Sequence, residues 1–297
     1  MGIHLLTSFL KNLKKNGSYK VHLNTLSGKR IVVDASIYLY RFKAMDSLIE
    51  NIYLLCTLFR VNNISALFVF DGKSTKNKES TLLKRKEQRD EAKREYFEIA
   101  NKIERMSPEE REKEEEKMTE LRRKFVKVTN NDITDVKNLL DAYGIKYMNA
   151  TNEADELCAA LVIKGAAYAC LSEDSDLFAY GCPRVLKYIS LLNHTVVVYP
   201  LGKILQSVGM RFSEFQQLCI LSGTDYNKFG KSIFAYYNKF KKTKKLIDYN
   251  SDNINIKDKI ENDIKDEIER VRTLFNKEDN IKIDIDKVKK NEINNVK

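Results

Sequence analysis

Residues 168–181 read "YACLSEDSDLFAYG", an apolar run that stops on Glu173, Asp174 and Asp176 within four residues. Carboxylates this close repel one another, and placing them beside an apolar core costs more still unless positive charge lies between them. Two further acids stand in the same setting: Asp34 ends "RIVVD" and Asp71 ends "SALFVFD". Glu153 and Asp155 open the apolar helical pattern "NEADELCAALV", and Asp225 follows another in "LSGTDY". Each acid alone has an ordinary explanation, as a turn residue or as a partner of a helix dipole. The density of the set is what points to a site. The chain has only three histidines and five scattered cysteines with no CxxC pair, which argues against zinc. Carboxylates without histidine suit a hard cation, Mg²⁺ or Mn²⁺. Two such ions about 4 Å apart, bridged by acids, are the usual device for in-line displacement at phosphorus.

The elements that must carry these acids alternate. "RIVVD", "SALFVFD", "AAYACLSED" and "TVVVYP" have strand character. Between them lie helical patterns such as "ASIYLYRFKAMDSLIENIYLLCTLF", "DITDVKNLLDAYG" and "NEADELCAALVIKG". The alternation predicts an α/β fold with a mainly parallel twisted sheet flanked by helices. The C-terminal ends of parallel strands share one edge, where ligands bind, so Asp34, Asp71 and Asp174 are predicted to converge. One segment, 76–127, breaks the rhythm: it is highly charged, and Ser107, Pro108 and Glu110 mark a helix start inside it. By composition it reads as a solvated helical hairpin inserted between strands. After Asp225 comes "NKFGKSIFAYYNKFKKTKK", Lys interleaved with Phe and Tyr. Beyond residue 250 the chain is polar, with one helical pattern at about 257–276 and an end of disorder-prone composition.

Over 297 residues the net charge is +10, which suits a polyanionic partner. An AT-rich genome would also enrich Lys, Asn and Ile. No apolar run reaches the roughly 18 residues of a membrane span. "MGIHLLTSFLKNLKK" lacks the cleavage site of a signal peptide, and Leu6 stands where a myristoylation signal wants Ser or Thr. The expectation is a reducing, intracellular compartment.

The motifs "MGI", "VVDAS" (32–36), "FVFDGK" (68–73), "EADELCAAL" (153–161), "SEDSDLFAYG" (172–181) and "LCILSGTDY" (218–226) follow one another in a recognisable order. From Met1 to about Tyr226 the chain resembles the flap endonuclease/XPG family of structure-specific 5′ nucleases. The resemblance implies a PIN-like 5′-nuclease domain over 1–225. It implies metal ligation by Asp34, Asp71, Glu153, Asp155, Asp174, Asp176 and Asp225, with Asp155 where the family usually carries Glu. Lys78 and Arg85 match the two basic residues of the gateway helix that meet the scissile phosphate. Tyr40 matches the aromatic that stacks on a nucleobase beside the cut, its alternative being a core tyrosine next to Tyr38. Gly2 matches a small residue packed near the DNA junction. The 76–127 insertion then becomes a helical arch for the single-stranded 5′ end.

The chain also departs from the pattern. The helix–two-turn–helix that grips duplex DNA and holds a monovalent ion is shortened over 226–297, and only Gly230 of its glycine hairpin survives. Lys231, Lys239, Lys241, Lys242, Lys244 and Lys245 can still hold phosphates electrostatically. The segment carries no sliding-clamp box. The expected activity is Mg²⁺-dependent flap endonuclease and 5′ exonuclease cleavage of branched or gapped DNA by a monomer. The site of action is the nucleus, or a cytoplasmic replication site for a viral member. Two alternatives stand beside it: a catalytically inactive junction binder, which would have lost acids, and a 5′→3′ exoribonuclease, which would carry much longer additional domains.

Overall fold

The computed structural model describes residues 2–13, 17–72, 79–103, 106–224 and 232–246. Seven strands form one sheet in the order β1-β7-β6-β5-β2-β3-β4. They are β1 (Tyr19–His22), β2 (Arg30–Asp34), β3 (Ser65–Phe70), β4 (Lys146–Asn149), β5 (Ala169–Leu171), β6 (Arg184–Ser190) and β7 (Thr195–Pro200). From β6 across to β4 every pairing is parallel. Only β7 runs against its neighbours. "TVVVYP" is therefore the antiparallel member of a mainly parallel sheet, a direction that its apolar run alone could not signal. The chain moves from β2 outward to β3 and later returns to β2's other side as β5, so a switch point falls between β2 and β5.

Alternation along β2 explains how the sheet is covered. Ile31 and Val33 face one layer, with helices α2 (Ala35–Lys43), α3 (Leu48–Val61) and α6 (Asn130–Ala142). Val32 faces the other, with α1 (Leu6–Lys11), α7 (Ala154–Ile163), α8 (Asp176–Ala179), α9 (Leu201–Val208) and α10 (Phe212–Leu221). Burial on both faces is why the central strands read as continuous apolar runs. The long pattern over 35–59 is not one helix. It breaks between α2 and α3, where Asp46 adopts a left-handed φ of 51°. Strands β1 and β4 had no clear signal, being short with exposed polar residues, and in β6 the apolar run is interrupted by Lys187, which is buried.

The insertion forms two helices, α4 (Glu79–Ala100) and α5 (Pro108–Phe125), and Ser107 and Glu110 make the expected reciprocal cap. The hairpin is more than a solvated charge run. Ala92, Ile99 and Leu121, backed by Tyr96, Met118 and Phe125, give it a small core of its own. Lys117 bridges Glu95 across the pair at 2.7 Å, and Arg122 pairs with Asp46 in the α2–α3 turn. Helix α11 (Ile233–Thr243) packs on α1 through Phe9, whose ring meets Phe234 at 5.6 Å and Tyr237 at 4.9 Å. All five cysteines are buried thiols. Among the described residues no helix is long and apolar enough to cross a membrane. The helical pattern at 257–276 lies outside the described residues.

Candidate metal centre and active site

Asp34 is the last residue of β2 and stands at the N-terminus of α2, almost fully buried. Asp71 follows directly on β3, and its Oδ1 accepts the Ala154 backbone N–H at 2.9 Å. That bond caps α7 and brings Asp71 beside Glu153, the N-cap, and Asp155 in the first turn of the same helix. Gly72 allows this approach. A Cβ there would collide with the Ala150 carbonyl and stand 2.6 Å from that of Thr151, while its own N–H donates to Asn152 O at 2.7 Å.

The exit from β5 is organised by one hydroxyl. Ser172 Oγ donates to Asp34 Oδ2 at 2.8 Å and accepts the Asp174 N–H at 3.0 Å. Asp174 Oδ1 in turn accepts the Asp176 N–H at 3.0 Å, which sets the start of α8. Gly2 closes the same corner. Its φ is +82°, and a Cβ would strike Asp174 Oδ1 and come within 2.5 Å of Ser175 Oγ. The N-terminus therefore rests against the acid turn itself, and only a residue without a side chain fits there.

The electrostatics agree with the geometry. Burial above all, then the charges of Asp71 and Asp174, push the Asp34 carboxyl up to about 7, with the Ser172 hydrogen bond pulling the other way. Acids distant in sequence thus feel one another at one sheet edge. Among the described residues no three acidic, His or Cys side chains are already drawn in around a single ion point. The donor chemistry, all carboxylate oxygen at the mouth of a parallel sheet, fits Mg²⁺ or Mn²⁺ and not a softer metal.

Tyr38 and Tyr40 part company as neighbours on a helix should. Tyr38 is buried in the core, whereas Tyr40 is 45% exposed. Lys239, Lys241, Lys242, Lys244 and Lys245 lie on or just beyond α11, an element separate from the acid edge, and the last four are exposed. Asp225, Lys78 and Lys231 fall outside the described residues, and of Arg85 only its place on α4 is described. Ser172 and Gly72 were not singled out from sequence. Their signal was position, one residue past β5 for Ser172 and two past β3 for Gly72, each in an acid motif, and small polar or glycine residues are common there for many reasons.

The XPG N-terminal domain pattern matches residues 1–92 and the XPG I-region pattern matches residues 144–225, together more than half of the chain. The flap endonuclease 1 of Homo sapiens is 30% identical over 244 residues, covering 76% of this chain and 62% of that protein. The chain thus spans about three fifths of the length of the curated relatives it matches. The catalytic core of Rad2 in complex with DNA substrate superposes with a TM-score of 0.61 at 25% identity, covering 81% of this chain and 68% of that one. Flap endonuclease-1 from Methanococcus jannaschii shares the fold, with a TM-score of 0.57 at 21% identity, over 87% of this chain and 81% of that one. With both signature regions in order on this sheet, and the acids of both at its carboxyl edge, the chain belongs to the flap endonuclease/XPG family.

Proposed function

We propose that this protein is a divalent-metal-dependent, structure-specific nuclease that cuts phosphodiester bonds in flapped, gapped or otherwise branched DNA. The observation that carries the reading is the meeting of Asp34, Asp71, Asp174 and Asp176 at the carboxyl edge of parallel strands, beside the first turn of α7. Bound Mg²⁺ or Mn²⁺ would supply charge neutralisation and Lewis-acid activation at phosphorus. The candidate ligands are Asp34, Asp71, Glu153, Asp155, Asp174, Asp176 and Asp225, with Ser172 and Gly2 fixing the geometry of two of them.

Substrate handling falls to other residues of the chain. Tyr40 offers an exposed ring on α2, and stacking accepts any base. Lys78 and Arg85, seven and fourteen residues past Asp71, take the scissile phosphate and stabilise charge developing on it. The hairpin α4–α5 serves as the arch for the single-stranded 5′ end. The segment from 226 onward, with the lysines of α11 and Lys231, holds duplex backbone without reading sequence. The working unit is a monomer acting where DNA is replicated or repaired.

Labelled 5′-flap, gapped, bubble and four-way DNA, incubated with and without Mg²⁺, test the reading. Cleavage of at least one branched substrate only with the metal is expected. Undiminished cleavage in chelator, or none of any substrate with Mg²⁺ or Mn²⁺, overturns it.

A further inference from the structure

Glu173 stands in the acid turn, yet its contacts point away from the other carboxylates. Its backbone carbonyl accepts the Lys187 ammonium at 2.7 Å. Its Oε1 accepts the Tyr188 backbone N–H at 2.6 Å and lies 3.9 Å from Arg41 Nη1. Lys187 is 2% exposed, a buried charge that needs such a partner. The backbone of β6 departs from regular pairing here. The register with β7 breaks between Lys187 and Ser190, and Tyr188 sits at φ +57°. A bulky residue rarely adopts that conformation, and it persists where surrounding contacts over-determine it. The bulge presents an ammonium and an N–H to the same residue of the acid turn. On the other side, Arg41 follows Tyr40 on α2. The buried Tyr38 hydroxyl, without a hydrogen-bond partner among the described residues, lies in the field of Glu173, Arg41 and Asp34.

We propose that Glu173 is a positioning residue and not a cation ligand: clamped by the β6 bulge, it holds the turn that carries Asp174 and Asp176 in register for a divalent ion. The inference rests on the metal-dependent reading above. Residues behind metal ligands typically alter affinity by about 10- to 100-fold when changed. The clamp depends on an acceptor of the right reach, not on charge. Glu173→Gln keeps both reach and acceptor but loses the charge. Glu173→Asp keeps the charge and loses the reach.

The test is Mn²⁺ binding to the full chain without DNA, followed by electron paramagnetic resonance, with thermal melts in chelator to confirm folding. Glu173→Gln should bind Mn²⁺ within about threefold of wild type, the scale of one partly exposed charge. Glu173→Asp should bind about tenfold more weakly or worse. The reverse order, equal weakening of both, or wild-type affinity in Glu173→Asp overturns the clamp. Wild-type protein that binds no Mn²⁺ overturns the metal-dependent reading itself, and the clamp with it.

Discussion

Gly2 and Asp34 show how single residues set this site. Gly2 needs both a left-handed backbone and the absence of a side chain against Asp174. Gly2→Ala should therefore lower single-turnover flap cleavage by about tenfold or more, equivalent to roughly 1.4 kcal/mol of misplaced geometry. The melting temperature should fall by at most a few degrees, because the strain falls on the second residue of the chain, where the backbone can shift; a wild-type cleavage rate would show that the corner tolerates a methyl. Asp34 makes a different trade. Its folded-state pKa is raised to about 7, above the usual value near 4 of an unfolded chain, chiefly by burial. The protonated form is thus the one the bare fold favours. Its contribution to stability is complete below about pH 4 and lost as pH rises through about 7. In chelator, Asp34→Asn should raise the melting temperature at about pH 8 and change it little at about pH 4, with a gain on the order of a few kcal/mol. Melts of both proteins at the two pH values check this, and activity should be lost throughout.

Elements divide the labour. Helix α4 begins eight residues after Asp71 and carries Arg85, while α11 carries its lysines on a separate support packed against α1 and α10. A contact made in the transition state lowers the barrier, whereas a remote one governs affinity. Arg85→Ala should depress the saturated single-turnover rate by about 10²-fold with a modest change in binding. Neutralising Lys241, Lys242, Lys244 and Lys245 together should weaken binding and flatten its salt dependence, by a slope of up to about 0.9 per lost phosphate contact. Saturating protein should then restore the rate. Single-turnover rate against protein concentration at two salt levels separates the two; rescue of Arg85→Ala at saturation, with the lysine variant still slow, would reverse the roles. The bond from Asp71 to the Ala154 N–H explains why α7 starts where it does. A strand exit and a helix entrance distant in sequence share one cap.

For the whole molecule, the proposed cation would relieve the repulsion among acids at the sheet edge, where the charges of Asp71 and Asp174 already raise the Asp34 pKa. Mg²⁺ or Mn²⁺ at about 100 times its dissociation constant should stabilise the fold by about 2.7 kcal/mol. That is a rise of several degrees in melting temperature, reversible by chelator and absent in Asp174→Ala; an unchanged melt in wild type would argue against binding at this edge. The alternation of strand and helix patterns was enough to predict the parallel sheet, and the acids at "RIVVD", "SALFVFD" and "SEDSD" were enough to predict their meeting. Both are local or topological facts: apolar runs mark strands, and parallel strands put their carboxyl ends on one edge. The capped break at Ser107 was equally legible, since a capping box is a short-range pattern. The antiparallel course of β7 and the break between α2 and α3 were not, because pairing direction and chain reversal depend on what lies alongside. Nor were the roles of Ser172, Gly72 and Glu173. Ser172 binds an acid 138 residues away, Gly72 is squeezed by a loop some 80 residues on, and Glu173 is held by a bulge in another strand. Such long-range contacts exist only once the tertiary fold has brought distant segments to hydrogen-bond distance, and no pattern of neighbours along the chain records them.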